Sequence, residues 1–196
     1  MPEAPIRVAV IVGSVREGRF GPVVADWLAG VADAHGGFEA DVVDLAEPDL
    51  PLAMPAFGAA PSAAVVAEIA KVAPRLEAAD AFVVVTPEYN HSYPASLKNA
   101  IDWHRAEWRA KPVAFVSYGG ISGGLRAVEH LRAVFAELHA VTIRETVSFH
   151  GAQARFGADG VPHDAAAGVA AKALLDQLGW WARSLAEARA ARPYPG

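Results

Sequence analysis

Thr86-Pro87-Glu88-Tyr89-Asn90-His91-Ser92-Tyr93-Pro94 directly follows the apolar run Ala81-Phe82-Val83-Val84-Val85 and directly precedes a helix-like stretch, Ala95 to Trp103. A β-branched strand that ends in a polar, aromatic, proline-bounded loop is how an open α/β sheet makes a ligand site at its carboxyl edge. Two similar units flank it. In one, Val8-Ala9-Val10-Ile11-Val12 leads into Gly13-Ser14-Val15-Arg16-Glu17-Gly18-Arg19. In the other, Val113-Ala114-Phe115-Val116 leads into Ser117-Tyr118-Gly119-Gly120-Ile121-Ser122-Gly123-Gly124. Three such loops on one sheet edge could surround a flat phosphorylated ligand.

Outward from these units, strand and helix patterns alternate. Ile6 to Val12 reads as the first strand, and Val24, Trp27, Leu28 and Val31 recur at helical spacing after Pro22, until Gly36-Gly37 closes the helix. Phe38 to Leu45 reads as a second strand ending at Asp44. Residues 46–61, rich in Pro and Ala, read as a long loop. Ser62 can cap a helix running to about Ala79, which Pro74 should bend or break. The third strand is Ala81 to Val85, and the fourth is Val113 to Ser117. Val128, Leu131, Phe135 and Leu138 share one helical face, and Val141 to Phe149 alternates as a less buried edge strand should. Gly151 to His163 reads as a loop. A last helix runs from Asp164 to about Ala190, and Arg192 to Gly196 read as a frayed tail. Strands alternating with helices imply an α/β fold with parallel pairing and right-handed crossovers, in a single domain over residues 1–196.

The chain has 196 residues, 53% of them hydrophobic and 20% charged, which suits a compact globular core. A net charge of −5 argues against a general nucleic-acid binder. With no cysteine, thiolate metal sites and cysteine catalysis are excluded. The seven histidines show no metal-binding spacing, so no metal site is expected. No segment approaches the roughly 20 apolar residues that span a bilayer. Met1 to Pro5 has no basic region leading into an apolar stretch, so a cytoplasmic protein is expected.

Gly13-Ser14-Val15-Arg16-Glu17-Gly18-Arg19 joins a strand to a helix start, where unpaired N–H groups and the helix dipole favour an anion. Ser14 offers a hydroxyl, and Arg16 and Arg19 offer guanidinium forks suited to phosphate. A turn capped by Ser14 with two solvated arginines accounts for the same residues. In the second loop, Pro87 and Pro94 stiffen the chain, Tyr89 can pack near a ring, and Asn90 can donate and accept. Glu88 can brace the loop by accepting backbone hydrogen bonds. His91 can be an acid or base, or a structural hydrogen-bonder. Ser92 can cap the next helix, and Lys98 with Asp102 makes an i,i+4 pair. In the third loop the glycines allow close backbone approach. Trp27 and Trp181 read as core, whereas Trp103 and Trp108, near Arg105 and Arg109, read equally well as core or as an interface patch.

These three segments, with Leu97-Lys98-Asn99-Ala100-Ile101-Asp102-Trp103, resemble the NAD(P)H-dependent FMN reductase family, which includes quinone, chromate and azo-dye reductases. The resemblance covers about residues 6 to 145. It implies a flavodoxin-like three-layer sandwich with a five-stranded parallel sheet of order 2-1-3-4-5 and FMN at the switch point. It also implies that Ser14, Arg16, Arg19, Phe20 and Gly21 hold the FMN phosphate and ribityl end. Pro87, Glu88, Tyr89 and Asn90 then line the isoalloxazine, and Ser117, Tyr118, Gly119 and Gly120 close the other side. NADPH or NADH is the implied donor and a small molecule the acceptor, in a ping-pong cycle that needs no catalytic side chain. A homodimer or dimer of dimers is expected, with no nucleic-acid or membrane partner. Arg105 and Arg109 are the candidates to meet a 2′-phosphate. An electron carrier of the flavodoxin kind is the alternative, disfavoured by Arg16, Arg19 and the modest net charge. A non-flavin binder of another phosphorylated ligand is a further one.

Overall fold

The computed structural model describes residues 4–195. The readings placed on residues 1–3 and on Gly196 lie outside the described residues. In chain order the elements are β1 (Ile6–Val12), α1 (Gly21–His35), β2 (Phe38–Asp44), α2 (Ala63–Ile69), α3 (Ala73–Ala78), β3 (Ala81–Pro87), α4 (Ala95–Trp103), β4 (Pro112–Gly119), α5 (Leu125–Glu137), β5 (Val141–His150) and α6 (Ala166–Ala191). One short 3-10 turn, Ala152–Ala154, follows β5. The strands form one parallel sheet, as the alternation implied, of order β2-β1-β3-β4-β5, as the resemblance implied.

Because side chains on a strand alternate between faces, each central strand feeds two cores. Val8, Val10, Val12, Val83, Val85, Ala114 and Val116 pack under α1 and α6 with Leu28, Leu174 and Leu178. Ala9, Ile11, Phe82, Val84, Val113 and Phe115 pack on the opposite face with Leu76, Leu97, Leu131 and Phe135. This double burial explains why the central strands read as unbroken apolar runs. Chain order reverses between β1 and β3, and the crevice this opens at the carboxyl ends of the strands is where the site forms.

Several boundaries differ from the sequence reading. The helix expected from Ser62 to Ala79 is two helices. Ser62 does cap α2, accepting from the Val65 N–H at 3.4 Å, but the break falls before Pro74, which sits in the first turn of α3. β3 continues to Pro87 and β4 to Gly119, because Thr86 and Pro87 pair with Ser117 and Tyr118. The tail beyond α6 is not simply frayed, since the Tyr194 hydroxyl lies 3.1 Å from His139 Nδ1. Trp108 is core, edge-on to Phe82 at 4.7 Å and to Phe135 at 5.3 Å. Trp27 and Trp181 pack half-buried against the core under α1 and α6. Trp103 instead pins the long loop, donating from Nε1 to the Pro51 carbonyl at 2.9 Å. Among the described residues no helix is long and apolar enough to cross a membrane.

Both sheet edges carry arginines on backbone carbonyls. On β2, Arg75 donates to the Val42 carbonyl at 2.7 Å. On β5, Arg132 donates to Ile143 O at 2.7 Å and Arg144 O at 3.2 Å, while Gln177 Oε1 accepts from the N–H groups of Arg144 and Glu145. The pairing of β5 is also irregular here, stepping from Val113↔Thr142 to Phe115↔Thr146.

Lys111 is a buried cation before β4. Its Nζ donates to the carbonyls of Leu76 at 3.0 Å and Glu77 at 2.8 Å. Burial, helped by the nearby Arg189 charge, lowers its pKa to about 8. The unfolded chain holds this proton up to about pH 10.4, so it binds more protons than the folded protein across that window. The Lys111 contribution to stability therefore rises with pH there. Relative to Lys111→Met, the wild type should gain about 2 kcal/mol of unfolding free energy between about pH 8 and pH 10. Urea melts of both proteins check this, and a pH-independent difference would refute it.

Candidate functional site

The first loop places its two arginines differently. Arg19 is half-buried, and its Nη2 pairs with the Asp44 carboxylate at the end of β2. Its Nε is buried with no hydrogen-bond partner. Arg16 is exposed, and among the described residues no carboxylate pairs with it. Asp44 thus compensates one charge of the loop and leaves the other uncompensated. Ser14 does accept from its own turn, at 3.4 Å from the Arg16 N–H. It is also fully buried, with Oγ 2.7 Å from the Tyr89 hydroxyl across the β1/β3 crevice.

Gly21 opens α1 against two neighbours. A Cβ there would stand 2.9 Å from Val12 Cγ1 and 3.0 Å from the Tyr118 hydroxyl. Burial and the neighbouring Tyr89 push the Tyr118 phenol well up, more than the Gly21 backbone hydrogen bond and the Arg19 charge pull it down. Tyr118 therefore stays a neutral hydroxyl.

The second loop is a two-residue hairpin. Tyr89 N–H donates to Ser92 O at 2.8 Å and Ser92 N–H returns to Tyr89 O at 3.1 Å. Asn90 and His91 at its tip have φ of 49° and 75°, as a type I′ turn requires. Asn90 is exposed, and its N–H meets no acceptor among the described residues. Glu88 braces the loop. Its carboxylate is 6% exposed, pairs with Arg126 at 2.5 Å and accepts the Arg126 N–H at 3.2 Å. Burial alone would raise its pKa, but hydrogen bonds from Ser122 and Arg126 and the Arg126 charge together hold it below the usual carboxylate range.

Ser117 and Tyr118 belong to β4, and only the glycines after them form the third loop. The buried Ser117 hydroxyl donates to Gly123 O at 2.8 Å, so it supports the loop from below. A fourth segment, outside every sequence motif, completes the wall. Gly151 N–H donates to Gly119 O at 2.8 Å and Gly120 O at 3.0 Å, which staples the turn at residues 152–154 to the glycine loop.

Together these segments enclose a cleft of about 610 Å³. Ser14, Arg16, Arg19 and Phe20 meet Pro87, Glu88 and Tyr89 around it, with Tyr118, Gly119 and Gly120 opposite. Asn90, Ser117 and Gly21 are not in its lining. Asn90 lies at the turn tip, Ser117 beneath the glycine loop, and Gly21 against Tyr118. Sequence reasoning missed Glu17 and Gly18, although both lie inside the quoted first motif, and Gly151 to Ala154, which carry no local signal. Arg105 borders a separate groove with Met54 and Lys98, and Arg109 lies in the connection to the start of β4, at the opposite edge of the sheet from the cleft.

An uncompensated guanidinium and an unpartnered buried N–H in the loop before α1, with aromatic walls from Phe20, Tyr89 and Tyr118, fit a mononucleotide with a flat ring. Such a cleft at the switch point of a parallel 2-1-3-4-5 sheet defines a flavodoxin-like nucleotide-binding protein.

Residues 6–154 match the family model described as NADPH-dependent FMN reductase, and the chain belongs to that family. It is 40% identical over 122 residues to the NAD(P)H-dependent FMN reductase of Schizosaccharomyces pombe, a match spanning 60% of each chain. It is 35% identical over 167 residues to the NAD(P)H:quinone oxidoreductase of Solanum tuberosum, covering 81% of this chain and 84% of that one. The flavoenzyme NAD(P)H:(acceptor) oxidoreductase FerB of Paracoccus denitrificans superposes with a TM-score of 0.71 at 26% identity, over 91% of this chain and 98% of that one.

Proposed function

We propose that the protein is an FMN-dependent oxidoreductase that takes electrons from NADPH or NADH and delivers them to a small acceptor such as a quinone or a flavin. Bound FMN would supply a two-electron store that a nicotinamide donor and a separate acceptor use in turn. The uncompensated Arg16 at the mouth of an aromatic-walled cleft carries this reading. Arg16 and the Arg19 Nε–H would bind the phosphate, with Ser14, Phe20 and the helix start at Gly21 beside it. Pro87, Tyr89 and the outward N–H of Asn90 would border one side of the ring. Tyr118, Gly119 and Gly120, supported by Ser117, would border the other. Glu88 acts by holding the second loop against α5. The residues act as one FMN-binding unit, in the cytoplasm, as a homodimer or dimer of dimers. The groove between α4 and α5 near Met54, Val134 and Leu138 is the proposed contact, and a monomer by light scattering would contradict it.

The test is anaerobic stopped-flow absorbance of the FMN-loaded protein mixed with NADPH or NADH. Rapid bleaching by either supports the reductase. No bleaching by both, with dithionite still reducing the flavin, would point to an electron carrier. In parallel, Arg16→Ala should lose about tenfold in FMN affinity, the worth of one charge-assisted contact, with an unchanged melting temperature. Unaltered flavin content after gel filtration would remove Arg16 from the phosphate site.

A further inference from the structure

We infer that His91, His130 and Arg126 form an anion subsite at the rim of the cleft that takes the 2′-phosphate of NADPH. This rests on the reductase reading above and names the residues that choose the donor. Arg126 lies in the first turn of α5, and its neighbour at i+4, His130, lies on the same helical face. Across from them, His91 stands at the tip of the hairpin in the second loop. The two imidazole centroids are 6.2 Å apart.

Each group is held from behind. Arg126 Nη1 donates to His91 Nδ1 at 2.9 Å. A guanidinium cannot accept, so His91 Nδ1 carries no proton there and the neutral ring bears its N–H at Nε2. His130 Nδ1 lies 2.9 Å from Ser92 Oγ. Both histidines are exposed, and no hydrogen bond reaches either Nε2 among the described residues. Arg126 keeps N–H groups beyond those given to His91 and Glu88, and its side chain is 45% exposed. Two imidazole Nε2 atoms and the remaining Arg126 N–H groups are therefore left open to a ligand within one cluster.

The backbone supports the same reading. His91 occupies the left-handed region at φ 75°, where a type I′ turn favours glycine. A histidine there gives up turn stability while presenting an imidazole at the rim, and strain of this kind concentrates at ligand contacts.

The chemistry of the occupant follows from the donors. A phosphomonoester presents several acceptor oxygens in a fan and can meet separated N–H groups at once. The 2′-hydroxyl of NADH offers only one oxygen without charge. Glu88, which lines the cleft, faces Arg126 from the inner side and offsets its charge. Discrimination therefore comes from the fan of donors. The subsite joins the cleft wall through the Glu88–Arg126 ion pair, and His91 follows Tyr89 by two residues in the same hairpin. Of the candidates suggested by sequence alone, Arg105 borders the separate groove with Met54 and Lys98, and Arg109 lies in the connection to the start of β4.

Two measurements on the flavin-loaded protein test it, with the variant His91→Asn/His130→Gln. Asparagine tolerates the turn and glutamine suits an exposed helix position, so folding should hold. First, the ratio of kcat/KM for NADPH over that for NADH should favour NADPH in the wild type and fall roughly tenfold in the variant. Second, calorimetry should show the wild type binding adenosine 2′,5′-bisphosphate roughly tenfold more tightly than adenosine 5′-monophosphate, with the gap closed in the variant. Equal affinities for the two adenosine nucleotides in the wild type, or a gap that survives in the variant, would overturn the subsite. If neither dinucleotide bleaches the flavin, the reductase reading fails and the calorimetric comparison alone decides the subsite.

Discussion

Gly124→Ala is expected to destabilise the fold by about 3 kcal/mol and to strip FMN from what remains folded. Gly124 lies at φ 88°, a region that costs any residue with a Cβ, and it begins the approach to α5. Its Cβ would fall 2.6 Å from Ser117 Cβ and 3.0 Å from the Tyr118 N–H nitrogen. Neither can retreat, because Ser117 is fully buried in β4 and Tyr118 pairs with both neighbouring strands. The overlap would push Tyr118 and the glycine loop into the cleft. Gly120→Ala is the control, since a Cβ there meets nothing within 4 Å. Chemical denaturation should separate the two variants clearly. A Gly124→Ala midpoint equal to that of Gly120→Ala would sink the argument.

Phe135→Ala should cost about 3 to 5 kcal/mol, as large-to-small changes in rigid cores do. The Phe135 ring is fully buried, edge-on to Trp108 at 5.3 Å and tilted to Phe115 at 6.0 Å. These rings belong to the core on the α4 and α5 side of the sheet. Phe20 and Tyr118, which line the cleft, pack with the other core. The cavity is therefore expected to lower stability without loosening FMN in the molecules still folded. Thermal melts and flavin titration of one preparation measure both quantities. A ΔΔG under about 1 kcal/mol would mean that α5 settles into the space left behind.

The fold was legible because burial on both faces leaves so plain a mark on β1, β3 and β4. Their apolar runs, each followed by a loop and a helix pattern, imply parallel crossovers and hence the sheet. The strand ends were less legible. Ser117 and Tyr118 look like the start of a glycine loop, and only pairing with Thr86 and Pro87, some thirty residues away in sequence, makes them strand. For the site, polar and glycine residues concentrated at strand ends gave most of the cleft. They did not reveal that Asp44 holds Arg19, because an ion pair between the loop before α1 and the end of β2 has no local signature. The wall at Gly151 to Ala154 was invisible for the same reason. Gly-Ala-Gln-Ala has no distinctive chemistry, and two hydrogen bonds to Gly119 and Gly120 put it there. The role of Glu88 was half visible, since a brace accepting backbone hydrogen bonds was expected and it does accept the Arg126 N–H, but the ion pair with Arg126 comes from another helix and has no local signature.

The arginines seated on the rims of the sheet bear on how the protein behaves when it is crowded. An open parallel sheet ends in strands whose unused peptide groups can recruit a strand from another chain and seed fibrous aggregates. Arg75 takes a carbonyl of β2, and Arg132 with Gln177 takes carbonyls and N–H groups of β5, so each rim has peptide groups no incoming strand can use. The irregular stretch of β5 also breaks the even spacing that templated growth needs. Copies of this chain can then associate side by side through their helices without polymerising through their sheets. Such protection matters most on the ribosome, where a slow parallel topology leaves strand edges exposed longest.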